Sequence, residues 1–455
     1  MNAPENMIST AQQQISGLPA SMVLPPDDAL REVLHNEVHA RPSTRIRLPA
    51  LVVFVAVLNE GVSREAECAH LQRLPGHAHL TPADLQGSFL RLRFEGYSLR
   101  WERHSEFTRY MLVQHLPEHA MLGATEPDLL PFMAVNPEWL REVPGRTMTA
   151  ILLALVNHDI SDPQAALALG QQWFGGRTVV ASLMGGGHSM AVTNFRLNSD
   201  GFERMLVIAP EGTSETRAGR IAQRLLELES YRLMALRGLP VAKILAPVLA
   251  ESEAGLADVT ARLEDRQGSE AELLDTLIHV AARVERATAE NMYRFSATQA
   301  YDALVQQRIS ELREKTIPGT QQIGEFMRRR LSPAISTVAT TARRLALLSQ
   351  RTERASALLR TRVDIASEKQ NQQLLAKLTR GQELQLTLQT TVEGLSIAAI
   401  SYYVISLLFY AGKAMKAIGL PISPEITTGA LIPLVLLGVW KVTQRIHARL
   451  HADRH

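Results

Sequence analysis

The chain has one cysteine, Cys68, in 455 residues. That excludes an internal disulfide framework and leads us to expect a reducing compartment. It also lacks an excess of charge. Lysine and arginine number 48 against 46 acidic residues, a net charge of +2. Such a balance argues against a broad footprint for nucleic acid. The first twenty residues are polar and hold no apolar run, so no signal peptide is expected. Long hydrophobic runs are few. Apolar residues make up 46% and charged ones 21%, so most of the chain reads as soluble and any membrane part as small. Catalytic signatures are missing too. Ser182, Ser189 and Ser214 lack a Gly-x-Ser-x-Gly context. "MGGGHS" (Met184 to Ser189) lacks the Lys-Ser/Thr of a phosphate-binding loop and reads as a hairpin turn. No catalytic residue is assigned, and an enzyme is not expected.

What is present divides by pattern. After an N-terminal segment (1–44), residues 45–211 read as a mixed α/β domain of six or seven strands. "LPALVVFVAVL" is a strand-length run rich in β-branched residues. "SFLRLRFEGYSLRWERHSEFTRYMLVQHL" alternates like two or three strands. "RTVVASLM" is another strand. "SMAVTNFRLNSDGFERMLVIAP" reads as a hairpin turning at Asp200-Gly201. From about Ser214 the strand signals stop. A helical region (212–331) opens there, capped at Ser214 or Thr213, with breaks expected at Gln267-Gly268, Pro318-Gly319 and Pro333.

Beyond Pro333 no proline occurs until Pro421. A helix from Ser332 to Gly412 would measure roughly 120 Å. We therefore expect a stalk (332–393), either standing free or lying on the domain's own helices. Its stripe runs through Leu345, Leu348, Thr352, Ala355 and Leu359 to Leu388 and Val392, in steps of three and four. The nineteen residues from Gly394 to Gly412 carry no charge. As a helix they reach about 28 Å, close to a hydrocarbon core of about 30 Å. A loop (413–420), a second apolar segment (421–440) and a basic tail (441–455) follow. The fold class expected is thus α+β with membrane helices, ending in a two-helix transmembrane hairpin.

Charge sets its direction. Arg360, Arg362, Lys369, Lys377 and Arg380 precede the first segment, and Lys441, Arg445 and Arg449 follow the second. The loop region holds only Lys413, Lys416 and Glu425. Both termini are expected in the cytoplasm. At 100° per residue, Gln389, Ser396, Ala399, Tyr403, Ser406 and Tyr410 share one polar arc. Hydroxyls at membrane depth want partners. The arc is therefore read as facing sister copies or lining a pore, with Gly412 and Lys413 at the loop mouth. The expected partners are the bilayer and the chain itself, with no nucleic acid.

Cation ligands come from two places. His35, Glu37 and His39 would share one face of a strand, though on a helix only His35 and His39 align. Glu102, His104 and Glu106 would likewise share a face of the alternating "RWERHSEF". Against a metal stands the plain reading of satisfied hydrogen bonds and cross-strand pairs. No cofactor is certain, and a divalent cation is the one candidate. "CAHLQRLPGHAHL", with Cys68, His70, His77 and His79, matches no strong zinc spacing.

"NEVHARP", "LRWERHSEF", "LLRTRVDI", "QNQQLL" and "TVEGLSIAAISYY" resemble the hallmarks of an uncharacterised bacterial family of membrane-anchored proteins with a domain of unknown function. The resemblance runs from about residue 25 to 450 and implies no activity. The order of α/β domain, stalk helix, span, short loop, span and basic tail resembles the CorA magnesium channel superfamily. That resemblance implies a pentamer, ion transport and the bacterial inner membrane. It departs at the signature: the place of Gly-Met-Asn reads "FYAGKAMKAIG", with Lys413 where a cation would be held. The competing expectation is a non-conducting, membrane-anchored scaffold or binding protein.

Overall fold

A computed structural model describes residues 28–37, 44–265, 268–418 and 423–452. In chain order the elements begin with α1 (Arg31–Glu37), β1 (Ala50–Leu58) and α2 (Arg64–Gln72). Three strands follow, β2 (Phe89–Arg93), β3 (Tyr97–Arg103) and β4 (Phe107–His115). Then come α3 (Pro137–Arg141), β5 (Arg146–Asn157) and α4 (Pro163–Trp173). Strands β6 (Val180–Met184), β7 (Ser189–Leu197) and β8 (Glu203–Ala209) complete the sheet. The rest is helical: α5 (Glu215–Leu236), α6 (Gly238–Glu264), α7 (Glu270–Leu312), α8 (Ile323–Ala417) and α9 (Pro424–Ala452).

The eight strands form one sheet, ordered β2-β3-β4-β1-β5-β8-β7-β6. The β5–β8 pair is parallel and the other pairs are antiparallel. β1 is central and buried along its whole length. Its odd residues, Leu51, Val53, Val55 and Val57, join a core with Leu71 of α2, Trp139 of α3 and Trp173 of α4. Its even residues, with Phe54 at their middle, join a second core with Leu225 and Leu226 of α5, Val305 of α7 and Met327 of α8. Both faces are covered, so the strand reads as an unbroken apolar run rather than an alternation. Each such side chain contributes about 1.5–3 kcal/mol through burial.

The expectation of six or seven strands missed β5. Its stretch "TAILLALV" is rich in alanine and leucine, which favour helix intrinsically. Its place between β1 and β8, dry on both faces, overrides that preference. The chain enters β5 through Gly145, at φ +120°. A Cβ there would stand 2.5 Å from the Leu58 carbonyl oxygen, so only glycine fits. The other strand readings hold, including the turn at Asp200-Gly201 and the glycine turn between β6 and β7. α5 starts at Ser214, whose hydroxyl accepts from the Arg217 amide.

The helical boundaries differ from expectation at both ends of α8. It begins at Ile323 and passes through Pro333 without a break. A proline inside a helix removes one backbone bond, at a cost of about 3 kcal/mol. Here Leu331, Ala334 and Val338 are buried on either side of it, and that packing holds the helix together. At the other end α8 runs on to Ala417, so Gly412 and Lys413 lie in helix rather than at a loop mouth. α9 starts at Pro424, a residue suited to a first helical turn.

The chain forms two compact units. One comprises Met1–Ala261 with Asp275–Glu353, the other Arg262–Leu274 with Arg354–His455. Along α8 the expected stripe is buried at Leu345, Leu348, Thr352, Ala355 and Leu359. It is exposed from Val363 onward, at Leu374, Leu378, Leu388 and Val392. Helices in Glu215–Glu264, Ile323–Ala417 and Pro424–Arg445 are long and apolar enough to cross a membrane. The first was not expected. Much of its apolar surface is accounted for, since Ile221, Ala222, Leu225 and Leu226 pack on the sheet, and Ala242, Leu245, Leu249 and Leu256 are buried in α6.

Candidate functional site

The α/β unit carries a ladder of buried charge on the α5 side of the sheet. Arg100 Nε donates to Glu102 Oε1 at 2.6 Å, and the Arg109 guanidinium donates to the other Glu102 oxygen. Arg109 also reaches Glu227 of α5 at 3.3 Å. Arg308 of α7 donates to Glu227 at 2.6 Å and to Glu311 at 2.9 Å. Burial pushes the Glu102 carboxyl up, but Arg109 and Arg100 outweigh it and hold it below the usual range. Glu227 behaves alike: burial opposes its charge, and Arg109, Gln223 and Arg308 together prevail. The ladder ties two helices to two strands.

This geometry corrects the expected cation face. β3 ends at Arg103, so Glu102 stands on the strand while His104 and Glu106 fall in the turn after it. Both Glu102 oxygens are taken by guanidinium groups, and the Glu106 carboxylate pairs with Arg294. His104 stacks on Phe107, ring centroids 4.5 Å apart. Carboxylates already neutralised by arginine are poor cation ligands. The strand geometry for His35 and Glu37 is also replaced. Both lie on the helix α1 rather than on a strand. His39 lies outside the described residues. Of the histidines near Cys68, His70 stacks on Trp139 at 4.4 Å and His77 packs against Phe94 at 4.9 Å. Among the described residues, no three His, Cys, Asp or Glu side chains are grouped to hold a metal.

The same β3–β4 turn forms the floor of a two-lobed cleft. Asn59 fixes the turn, donating from its side chain to the His104 carbonyl at 2.9 Å and from its amide to the Glu106 carbonyl. The larger lobe, about 600 Å³, is lined by polar Arg64, Ser88 and Ser105 and by aromatic Phe107, Tyr231 and Tyr301. Tyr231 and Tyr301 are stacked at 6.0 Å. Burial, then the neighbouring Glu106 carboxylate, raise the Tyr301 phenol, so it stays protonated. The smaller lobe, about 390 Å³, shares Arg103 and Ser105 and adds Asn59, Arg237, Tyr293, Arg294 and the carboxylates Glu60 and Glu106.

The four arginines of the cleft are not equivalent. Arg103 donates to Glu67 at 2.6 Å, and Arg294 is held by Glu106. Arg64 donates to the Leu85 and Gln86 carbonyls and to the Ser88 hydroxyl, a neutral set of acceptors. The Nε of Arg237 and one terminal nitrogen of Arg294 are buried without an acceptor in the protein. Sequence reading missed Arg64, Arg237, Tyr231 and Tyr301. They come from three helices far apart in the chain, and no local spacing links them.

In the second unit the expected polar arc lies outward. Gln389, Ser396, Ala399, Tyr403 and Tyr410 are exposed, and Ser406 is half-buried. The side shielded instead runs through Ile397, Ser401, Val404, Ile405 and Gly412. Gly412 meets Pro424, with a Cβ-position contact of 3.5 Å. Ser401 is 2% exposed, and Thr428 of α9 is also buried. Lys413 Nζ lies 4.7 Å from the centre of the Phe409 ring.

A protein-family profile described as "Protein of unknown function (DUF3422)" matches residues 26–450. No curated protein and no solved structure matches the chain.

Proposed function

The chain belongs to the DUF3422 family, and we propose that it is an integral membrane protein whose C-terminal hairpin holds an α/β binding domain at the bilayer. One observation carries this reading. The most apolar stretches of α8 and α9 are each only 6% buried within the protein. Leu395, Leu407, Leu434 and Leu437 are all more than half exposed. In water so much bare apolar surface is unstable, whereas hydrocarbon is its natural solvent. The basic residues flanking the two helices support a topology with both ends on the cytoplasmic side, of a bacterial inner membrane. The outward arc of Ser396, Tyr403 and Tyr410 is the surface through which copies associate, since lipid offers hydroxyls no partner. The α/β domain works by binding rather than by catalysis.

A second reading, ion conduction by a CorA-like oligomer, draws on the same hydroxyl arc. Lys413, three residues beyond Tyr410, would add a ring of positive charge there and oppose cation passage. Two experiments test these readings. The protein is expected to remain with membranes in alkaline carbonate, and release would defeat the anchored reading. Purified protein in liposomes is expected to pass neither divalent nor monovalent cations, and measured flux would replace the binding reading with the conducting one.

A further inference from the structure

We propose that the cleft over the β3–β4 turn binds a small organic phosphate with a planar body. The phosphoryl group sits at Arg237 and Arg294, and the planar part lies over the Tyr231–Tyr301 pair. The proposal stands on the α/β unit alone and does not depend on the membrane reading.

Three observations lead to it. First, two guanidinium groups line one small lobe with donors that no protein atom accepts. They are the Nε of Arg237 and a terminal nitrogen of Arg294. Both of those atoms are shielded even from water. The terminal nitrogens of Arg237 are accessible, have no protein acceptor among the described residues either, and are the donors an anion in the lobe would meet. Second, charge in the lobe is unbalanced. Glu106 is committed to Arg294, Glu60 to Arg146 and Glu67 to Arg103. That leaves Arg237 without a carboxylate among the described residues, and Arg64 in the adjoining lobe bonded only to neutral oxygens. Arg237 lies at the junction of α5 and α6, and no protein group among the described residues accepts from its side chain. Third, the larger lobe has a mixed lining, the stacked Tyr231 and Tyr301 rings together with Arg64, Ser88 and Ser105. A purely inorganic anion would leave the aromatic rings unused. Arginine forks suit phosphoryl oxygens through paired hydrogen bonds, and the serine hydroxyls can donate to ribose or phosphate oxygens. Together the lobes have the size usual for a small-molecule site.

The probes are AMP, inorganic phosphate and glycerol 3-phosphate, titrated calorimetrically into the full chain in mild detergent. AMP is expected to bind at least roughly tenfold more tightly than either of the others, the gain typical of stacking one base on an aromatic side chain. Glycerol 3-phosphate represents a lipid headgroup. If it binds as well as AMP, the planar-body assignment is overturned and the source is lipid. Arg237→Gln breaks no hydrogen bond in the protein, so its melting temperature should match the parent. Its affinity for AMP should fall roughly tenfold or more, as for a lost charged hydrogen bond. Glu106→Gln frees Arg294 from its carboxylate and should tighten AMP several-fold. The proposal is overturned if AMP fails to bind at millimolar concentration. It is equally overturned if a normally folded Arg237→Gln binds AMP as the parent does.

Discussion

The sheet strand β1 and the apolar stretch of α8 are built from similar residues, yet the protein treats them oppositely. β1 is buried at every position, between two helical layers. The stretch around Leu395–Leu408 stays almost wholly exposed. Hydrophobic side chains need an apolar environment, and the protein supplies one for β1 only. For the apolar stretch of α8 the chain supplies little cover, and that difference is what the proposed membrane hairpin rests on.

That contrast can be broken at either end. The largest effect is expected at the core. Phe54→Ala should cost about 3–5 kcal/mol, because it opens a cavity where nothing can collapse. Chemical denaturation of the α/β unit in the full chain reads it. Glu227→Ala should cost a similar amount, about 3–5 kcal/mol, since it leaves Arg109 and Arg308 facing each other without their shared carboxylate. If Glu227→Ala melts like the parent, the ladder is not what ties α5 and α7 to the sheet.

In the hairpin the expected effect is on location rather than on folding. Leu434→Arg should oppose insertion by about 2.5–3.5 kcal/mol while the α/β unit denatures as before. Fractionation of cells separates the two outcomes. A variant that stays fully in membranes would mean that Leu434 faces water or protein. Tyr403→Ala with Tyr410→Ala should leave insertion intact and lower the oligomeric state seen by native mass spectrometry, and an unchanged mass would remove the arc from the contact.

The smallest effects concern pH, and two buried groups push in opposite directions. Burial, helped by Arg73, lowers His70 to about 4. The unfolded chain then binds a proton that the folded one refuses, so stability falls as pH drops from about 6.5 toward 4. His70→Phe should flatten the acid side of a melting profile. Glu203 is raised well above the usual range by burial and by Glu229 beside it. The folded state keeps that proton longer, so its contribution is present at low pH and lost as pH rises through the folded value. Glu203→Gln should flatten the alkaline side. Profiles that keep their shape in both variants would show that other groups set the pH dependence.

Much of the architecture was legible because it follows from periods. Alternation marked β2, β3 and β4, Asp200-Gly201 marked the hairpin, and Ser214 marked the start of α5. Where the reading failed, tertiary packing overrode local preference. β5 was not counted among the strands and is one because two strands flank it, and Pro333 looked like a break and is not. The cleft was only half visible. "RWERHSEF" drew attention to the right turn, but for a cation, because its glutamates show in the string while Arg109 and Arg294, which pair with them, lie outside it.

By itself, then, the order of side chains determined most of the strands and helices, that two apolar stretches lie beyond residue 390, and that the charge is balanced. These depend on neighbours a few residues apart, which any local reading contains. Only the folded chain decided that Glu102 and Glu106 meet arginines instead of a metal, and that Arg237, Arg294 and two tyrosines surround one space. Electrostatic and stacking contacts act over a few ångströms between residues up to about two hundred positions apart, and nothing in the string alone measures that distance.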